Sequence, residues 1–181
     1  DEPTFDTQAV TESVSLKASK YNIRKAFWQL TWREVNYIEL TAKESKEIWR
    51  TRNLPEIRKR MFNAAPIRWE EHTRFVASLA QRQDKFYMAF FDRGQLVASY
   101  DLINMHYRQA ECGLYLHPDY EGKGIASMVE ERMEEIARAK GIRTLTSQVL
   151  TDNAASVVFF ERNGYSKTSK KKGIIHFLKQ I

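Results

Sequence analysis

The chain has 181 residues, of which 43% are hydrophobic and 29% charged, with a formal net charge of +6. That length predicts one domain able to bury a core, and no apolar run reaches the roughly 18 residues of a membrane span. The single cysteine, Cys112, excludes an internal disulfide and a multi-cysteine metal site, while the positive balance suits an anionic partner: nucleic acid, a membrane surface or a phosphorylated small molecule.

Residues 1–24, opening DEPTFDTQAV, are polar and weakly periodic. They read as an N-terminal arm and not as a secretory leader, with one domain over 25–181 in a reducing cytoplasm. QLTWREVNYIELT (29–41) alternates and is rich in strand formers, which predicts a strand. AKESKEIWRTRN (42–53) predicts a helix stopping near Pro55, and IRKRMFN (57–63) a second short one. RWEEHTRFVASLAQRQ (68–83) sets Trp69, Phe75, Val76, Leu79 and Ala80 on one helical face. The period then changes to that of strands. Three runs follow, with turns at DRGQ (92–95) and YRQA (107–110). Ile125, Val129, Met133 and Ile136 form a helical stripe ending at Lys140-Gly141. RTLTSQVLT (143–151) is a strand, NAASVVFFERNGY a short helix ended by Gly164, and YSKTSK with GIIHFLKQI a closing pair of strands around a lysine-rich turn. No repeat or low-complexity segment interrupts this order, which predicts an α+β sandwich with a mixed, mostly antiparallel sheet.

In HPDYEGKGIASMVEERM (117–133), Gly122 and Gly124 flank a lysine at the mouth of the central helix. Unpaired N–H groups and the positive end of the dipole make a helix N-terminus an anion site, and glycine lets the backbone approach a phosphate without a Cβ in the way. The amides of 122–127 with Lys123 therefore predict a pyrophosphate cradle. The spacing lacks the third glycine of a dinucleotide fingerprint and the Gly-Lys-Ser/Thr of a Walker loop. Nucleic acid fits less well, because the arginines alternate with acids in EIRKRM and RWEEHTR and form no single stripe.

LYLHPDYEGKGIAS, followed downstream by LTDNAASVVFFERNGY, resembles the GCN5-related N-acetyltransferase (GNAT) superfamily over about residues 30–181. Its acetyl-CoA signature, Gln/Arg-x-x-Gly-x-Gly/Ala, reads here from Glu121 to Ala126, and Glu121 departs from the first position. The resemblance implies a sheet splayed into a V, with Leu114, Tyr115 and Leu116 offering backbone to pantetheine. It implies acetyl-CoA contacts from Glu121, Gly122, Lys123, Gly124, Ile125, Ala126 and Ser127, and from Asn153, Ser156, Phe159 and Phe160. One of the two phenylalanines is expected in the core, since adjacent helical positions face about 100° apart.

Acyl transfer needs a neutral amine. Deprotonating a lysine-like amine of pKa about 10.4 at pH 7 takes roughly 4–5 kcal/mol, which a general base shares. Many members protonate the leaving thiolate with a tyrosine where this chain has Phe160, and some use a strand glutamate where it has Gln148. Glu111 is the leading candidate base, followed by His106 and His72. Tyr165 is a candidate substitute acid, His117 shapes a turn, and Cys112 is expected in the core.

RTRNLPEIRKRM with RWEEHTRF, YDLINM and ECGLYLHP is similar to the PseH-like aminosugar N-acetyltransferases within that superfamily. The likeness implies a nucleotide-linked amino sugar as acceptor, lined by Arg52, Asn53, Met61 and His72. A polyamine, a protein N-terminus, or a non-catalytic acyl-CoA sensor are the alternatives. The superfamily resemblance also allows a homodimer, while the single cysteine, the alternating charges and the lack of a long apolar run lead to no metal, nucleic-acid or membrane partner being expected.

Overall fold

The computed structural model describes residues 20–28 and 31–181. The chain divides into two compact units, 1–33 and 34–181. In the first, residues 20–28 are helical, the Thr31 hydroxyl donates to the Phe27 carbonyl (3.0 Å), and the Trp28 and Trp32 rings stack at 5.2 Å. Most of the arm expected over 1–24 lies outside the described residues. Among those described, no helix is long and apolar enough to cross a membrane.

The strand expected over 29–41 is only β1 (Arg33–Asn36). The Asn36 side chain accepts a hydrogen bond from the Ile38 amide (3.1 Å), a local turn that competes with strand continuation, and a 3-10 turn follows over Tyr37–Glu39. Helix α1 (Ala42–Arg52) starts at a capping box between Thr41 and Glu44. Helix α2 is shorter than expected, Pro55–Arg58. The Arg58 guanidinium reaches the carbonyls of Asn53 (3.0 Å) and Ala64 (2.8 Å) and closes a loop where a continued helix was expected. Helix α3 (Trp69–Ser78) also ends early, in a 3-10 turn at Leu79–Gln81.

The remaining elements fall as expected: β2 (Phe86–Asp92), β3 (Gln95–His106), β4 (Gln109–Leu116), α4 (Ile125–Ala139), β5 (Thr144–Leu150), α5 (Ala154–Arg162), β6 (Ser166–Lys171) and β7 (Ile174–Gln180). They build a seven-stranded mixed sheet of order β1-β2-β3-β4-β5-β7-β6. The fold is α+β, with helices on both faces. On one face Val35, Tyr37, Ile48, Leu79, Ala89, Phe91 and Leu96 form a core, with Phe75 and Tyr87 packed against it. On the other, α4 packs on β3 and β4 and buries Ile125, Val129, Met133 and Ala137.

Beneath α4 lies a buried polar group. The Tyr165 hydroxyl donates to Glu130 (2.6 Å) and lies 3.2 Å from the Cys112 sulfur. Glu130 is 1% exposed, and its second oxygen has no partner. Burial pushes its pKa up to about 7. An acid shifted this way stabilises the fold fully below its unfolded value near 4.5, and that contribution is lost as pH rises through about 7. Glu130→Gln is therefore expected to flatten the fall in urea midpoint between pH 5 and pH 8 relative to the unsubstituted protein.

Candidate active site

β4 and β5 pair in parallel only where Gln109–Glu111 meet Thr144–Thr146. Beyond that point β4 stays with β3 and β5 with β7, so the sheet opens into a V whose apex is Glu111. The His117 amide donates to the Val97 carbonyl (2.9 Å). In an antiparallel ladder the backbone groups alternate, so the odd residues of β4 turn theirs to β3, and Leu114 and Leu116 turn theirs into the V. Tyr115 is thus not a backbone partner in the V. Its side chain sits beside Tyr37 and Ser99 on the α1 and α3 face, where the Tyr37 hydroxyl and Ser99 lie 2.7 Å apart.

The V runs into the glycine loop. Gly122 and Gly124 have φ of 72° and 80°, a region that side chains other than glycine rarely adopt. Gly124 is the N-cap of α4 and supplies no side chain to its free amides, so the N–H groups of the first turn remain available. Ala126, Ser127 and the backbone of buried Ile125 line the cleft there. Lys123 does not. Set between two left-handed residues, its ammonium is turned onto the Asp119 carbonyl (2.6 Å) and the Tyr120 ring. The positive charge comes instead from Arg60, which the sequence reading missed. Its guanidinium grips Glu121 at 2.6 and 3.4 Å and offsets the acid that departs from the signature.

Across the V, the Asn153 side chain caps α5 by accepting from the Ser156 amide (3.3 Å). Phe160 is the buried member of its pair and stacks on Phe177 at 5.4 Å; Phe159 is half-buried beside it. Tyr165 does not line the cleft, its hydroxyl being committed to Glu130.

The cleft holds about 840 Å³. On the side away from the glycine loop it is walled by Arg52, Ile57, Met61, Glu71, His72 and Phe75, and floored by Tyr87, Asp101 and Glu111 of the sheet. Arg52 has a buried guanidinium nitrogen with no hydrogen-bond partner, and burial pushes its pKa down. Asn53 does not face the cleft. Its amide donates to the carbonyls of Trp49 (3.1 Å) and Ile67 (3.0 Å) and accepts from the Ile67 N–H (2.8 Å), pinning the loop that carries Met61. His72 is buried with Nε2 3.0 Å from the Ser45 hydroxyl, and burial pushes its pKa below the usual range, so the ring is neutral at pH 7. His106 stands apart, exposed at the far end of β3 against Tyr107, and belongs to no part of the cleft.

Glu111 and Asp101 face the cleft from the same side of the sheet. Asn104, at left-handed φ of 51° where the β3 register slips, donates to Glu111 Oε2 (3.3 Å), and Gln148 donates to Oε1 (3.3 Å). Asp101, in the row Tyr87–Asp101–Gly113, was missed by the sequence reading. Burial first, and the Glu111 charge second, push its pKa up to about 7. The available signal was an acid in the middle of a long apolar strand.

Free helix amides beside an unpaired strand edge fit a pyrophosphate on an extended amide-bearing arm. The Acetyltransferase (GNAT) family model matches residues 26–165. The chain is 32% identical over 131 residues to acetyltransferase PseH of Campylobacter jejuni serotype O:2, covering 72% of this chain and 82% of that protein. The crystal structure of C. jejuni PseH in complex with acetyl coenzyme A superposes with a TM-score of 0.67 at 22% identity, covering 82% and 98%. The spermidine N-acetyltransferase of Vibrio cholerae, in complex with CoA and spermine, gives 0.71 at 16%, covering 83% and 95%. A signature loop set on a splayed sheet, matched by the family model over most of its length, makes this chain a member of the GNAT family and an acetyl-CoA-dependent N-acetyltransferase.

Proposed function

We propose that the protein acetylates the primary amine of a small anionic acceptor, a nucleotide-linked amino sugar, by direct transfer from acetyl-CoA. The observation that carries this reading is Arg52. A buried guanidinium nitrogen without a partner calls for an acceptor oxygen, and phosphate is its best geometric match. The motifs shared with PseH-like sequences, whose resemblance implies an amino-sugar acceptor, point the same way, and the chain is 32% identical to acetyltransferase PseH.

Acetyl-CoA supplies an acetyl group already activated as a thioester. In this reading the amides of 122–127 hold its pyrophosphate, with Arg60 nearby. The edge of β4 at Leu114 and Leu116 pairs with its pantetheine arm, and the Leu116 N–H polarises the carbonyl. Phe159 and Phe160 shield the thioester from water, while Asn153 and Ser156 fix the start of α5. Phe160 donates no proton. A thiol of pKa about 8.5 is a far better leaving group than an amine near 10.4, so the thiolate departs without a dedicated acid.

Polyamines are a second reading, because Glu71, Asp101 and Glu111 give the same cleft a run of carboxylates. The test is calorimetric titration with acetyl-CoA, then a thiol-release assay with a UDP-linked 4-amino sugar, spermidine and N-terminal peptides. Release with the sugar alone is expected. Release with spermidine alone transfers the assignment to polyamines. Tight binding without release on any amine makes the domain an acyl-CoA sensor, and absence of acetyl-CoA binding defeats the reading of the glycine loop.

A further inference from the structure

We infer that Asp101, over Gly113 on the cleft floor, takes the proton from the acceptor's ammonium, and that Glu111, held beside it by Asn104 and Gln148, is a positioning residue. This rests on the acetyltransferase reading.

The two carboxylates differ in what holds them. Both oxygens of Glu111 accept from side-chain amides, of Asn104 and of Gln148. These two donors fix the Glu111 carboxylate in place between β3 and β5. Asp101 makes no side-chain hydrogen bond among the described residues and lines the cleft. Its carboxylate lies over Gly113, where an added Cβ would stand 3.4 Å from Oδ2. Gly113 has no positive φ, so its backbone does not require glycine. A strand glycine weakens a sheet unless something approaches it closely, and here the missing side chain leaves the Asp101 carboxylate uncovered. Gly113 adjoins Leu114, the first residue past the apex whose side of the ladder opens into the V, after Cys112. An acceptor amine entering from the Arg52 side meets Asp101 there.

The groups facing Asp101 are Glu111 and Tyr115 of β4, Tyr87 of β2, Lys85 before it, and Tyr37, while Cys112 lies on the opposite face of the sheet. Glu111 makes proton uptake more favourable, and Lys85 opposes it. A base balanced near neutral pH is ionised often enough to act and still basic enough to pull.

In the step, Asp101 Oδ takes one proton from R–NH₃⁺ and the electron pair stays on nitrogen. That pair forms the C–N bond to the acetyl carbon. The C–S bond breaks with its pair on sulfur, which takes the second proton from nitrogen as CoA–SH, and Asp101 returns its proton to water.

The test combines two readouts on the full chain. In the free protein, the ¹³C carboxyl resonance lost in Asp101→Asn is expected to titrate with a midpoint near 7, and Glu111→Gln is expected to lower that midpoint. With a UDP-linked 4-amino sugar, kcat/KM for thiol release is expected to rise with pH through the same midpoint. Asp101→Asn loses that limb and about 100- to 1,000-fold in rate, with acetyl-CoA affinity within about threefold. Glu111→Gln shifts the limb to lower pH, which a merely structural role would not do. A midpoint near 4, a limb retained in Asp101→Asn, or a limb abolished only in Glu111→Gln overturns the inference. If the unsubstituted protein releases no thiol with that sugar, the acceptor reading fails on its own, and the resonance midpoint still decides for or against Asp101.

Discussion

Replacing Gly124 with valine is expected to weaken acetyl-CoA binding by about 100-fold or more, read by calorimetric titration, while the protein stays folded. Two terms add. Gly124 sits at φ 80° as the cap of α4, and a side chain in the left-handed region costs roughly 1–2 kcal/mol, more when β-branched. Relaxing that strain rotates the first-turn amides away from the anion they are placed to meet. Hydrogen bonds to a charged group contribute about 1.5–3 kcal/mol each, so losing one or two exceeds 100-fold in affinity. Thermal stability reports the strain alone, and the difference between the two measurements isolates the binding term. A variant that binds acetyl-CoA as the unsubstituted protein does would show that the cradle lies elsewhere.

Arg52→Met is expected to have the opposite signature. The KM for an anionic acceptor rises about 10- to 100-fold, because a charge-assisted contact of about 1.5–3 kcal/mol is lost. Acetyl-CoA affinity stays within twofold. The folded state is unchanged or more stable by about 1 kcal/mol, since a desolvated cation without a partner is replaced by an apolar chain of similar length. Stability gained where activity is lost is the mark of a group kept for a ligand and not for the fold. Urea unfolding and acceptor kinetics on one preparation check both halves. Equal loss of stability and activity would make Arg52 a structural residue.

The order of elements and the position of the glycine loop were legible because each rests on local chemistry: period-2 runs, a helical stripe, paired glycines before it. The misreadings were of side-chain bonds and turn geometry that hydrophobic period does not report, some between near neighbours and some between residues far apart in the chain. Alternation carried the first strand through Tyr37, but Asn36 bonds to the Ile38 amide and ends it. Arg52 and His72 were picked out from a motif and do meet in one cleft; Asn53, from the same motif, turned out to pin a loop. Lys123 has the right sequence position for a phosphate contact, yet two left-handed neighbours aim it elsewhere. Asp101 escaped because its significance depends on Gly113, opposite it on the next strand. Arg60 escaped because its partner Glu121 lies 61 residues away.

The V also bears on how the protein survives at high concentration. Sheet edges recruit strands from other chains. The two outer edges are guarded: β1 has four residues, and β6 carries Lys167, Lys170 and Lys171. Past Glu111 and Thr146, however, the sheet has two further edges in its middle, and the residues there are Leu114, Leu116, Val149 and Leu150. No lysine guards them. In the proposed reading, the backbone that receives the pantetheine arm is therefore also the surface most open to mispairing, and bound acetyl-CoA would cap it as a strand does. Colloidal stability is then expected to track the supply of the co-substrate, with light scattering at high concentration rising when acetyl-CoA is removed.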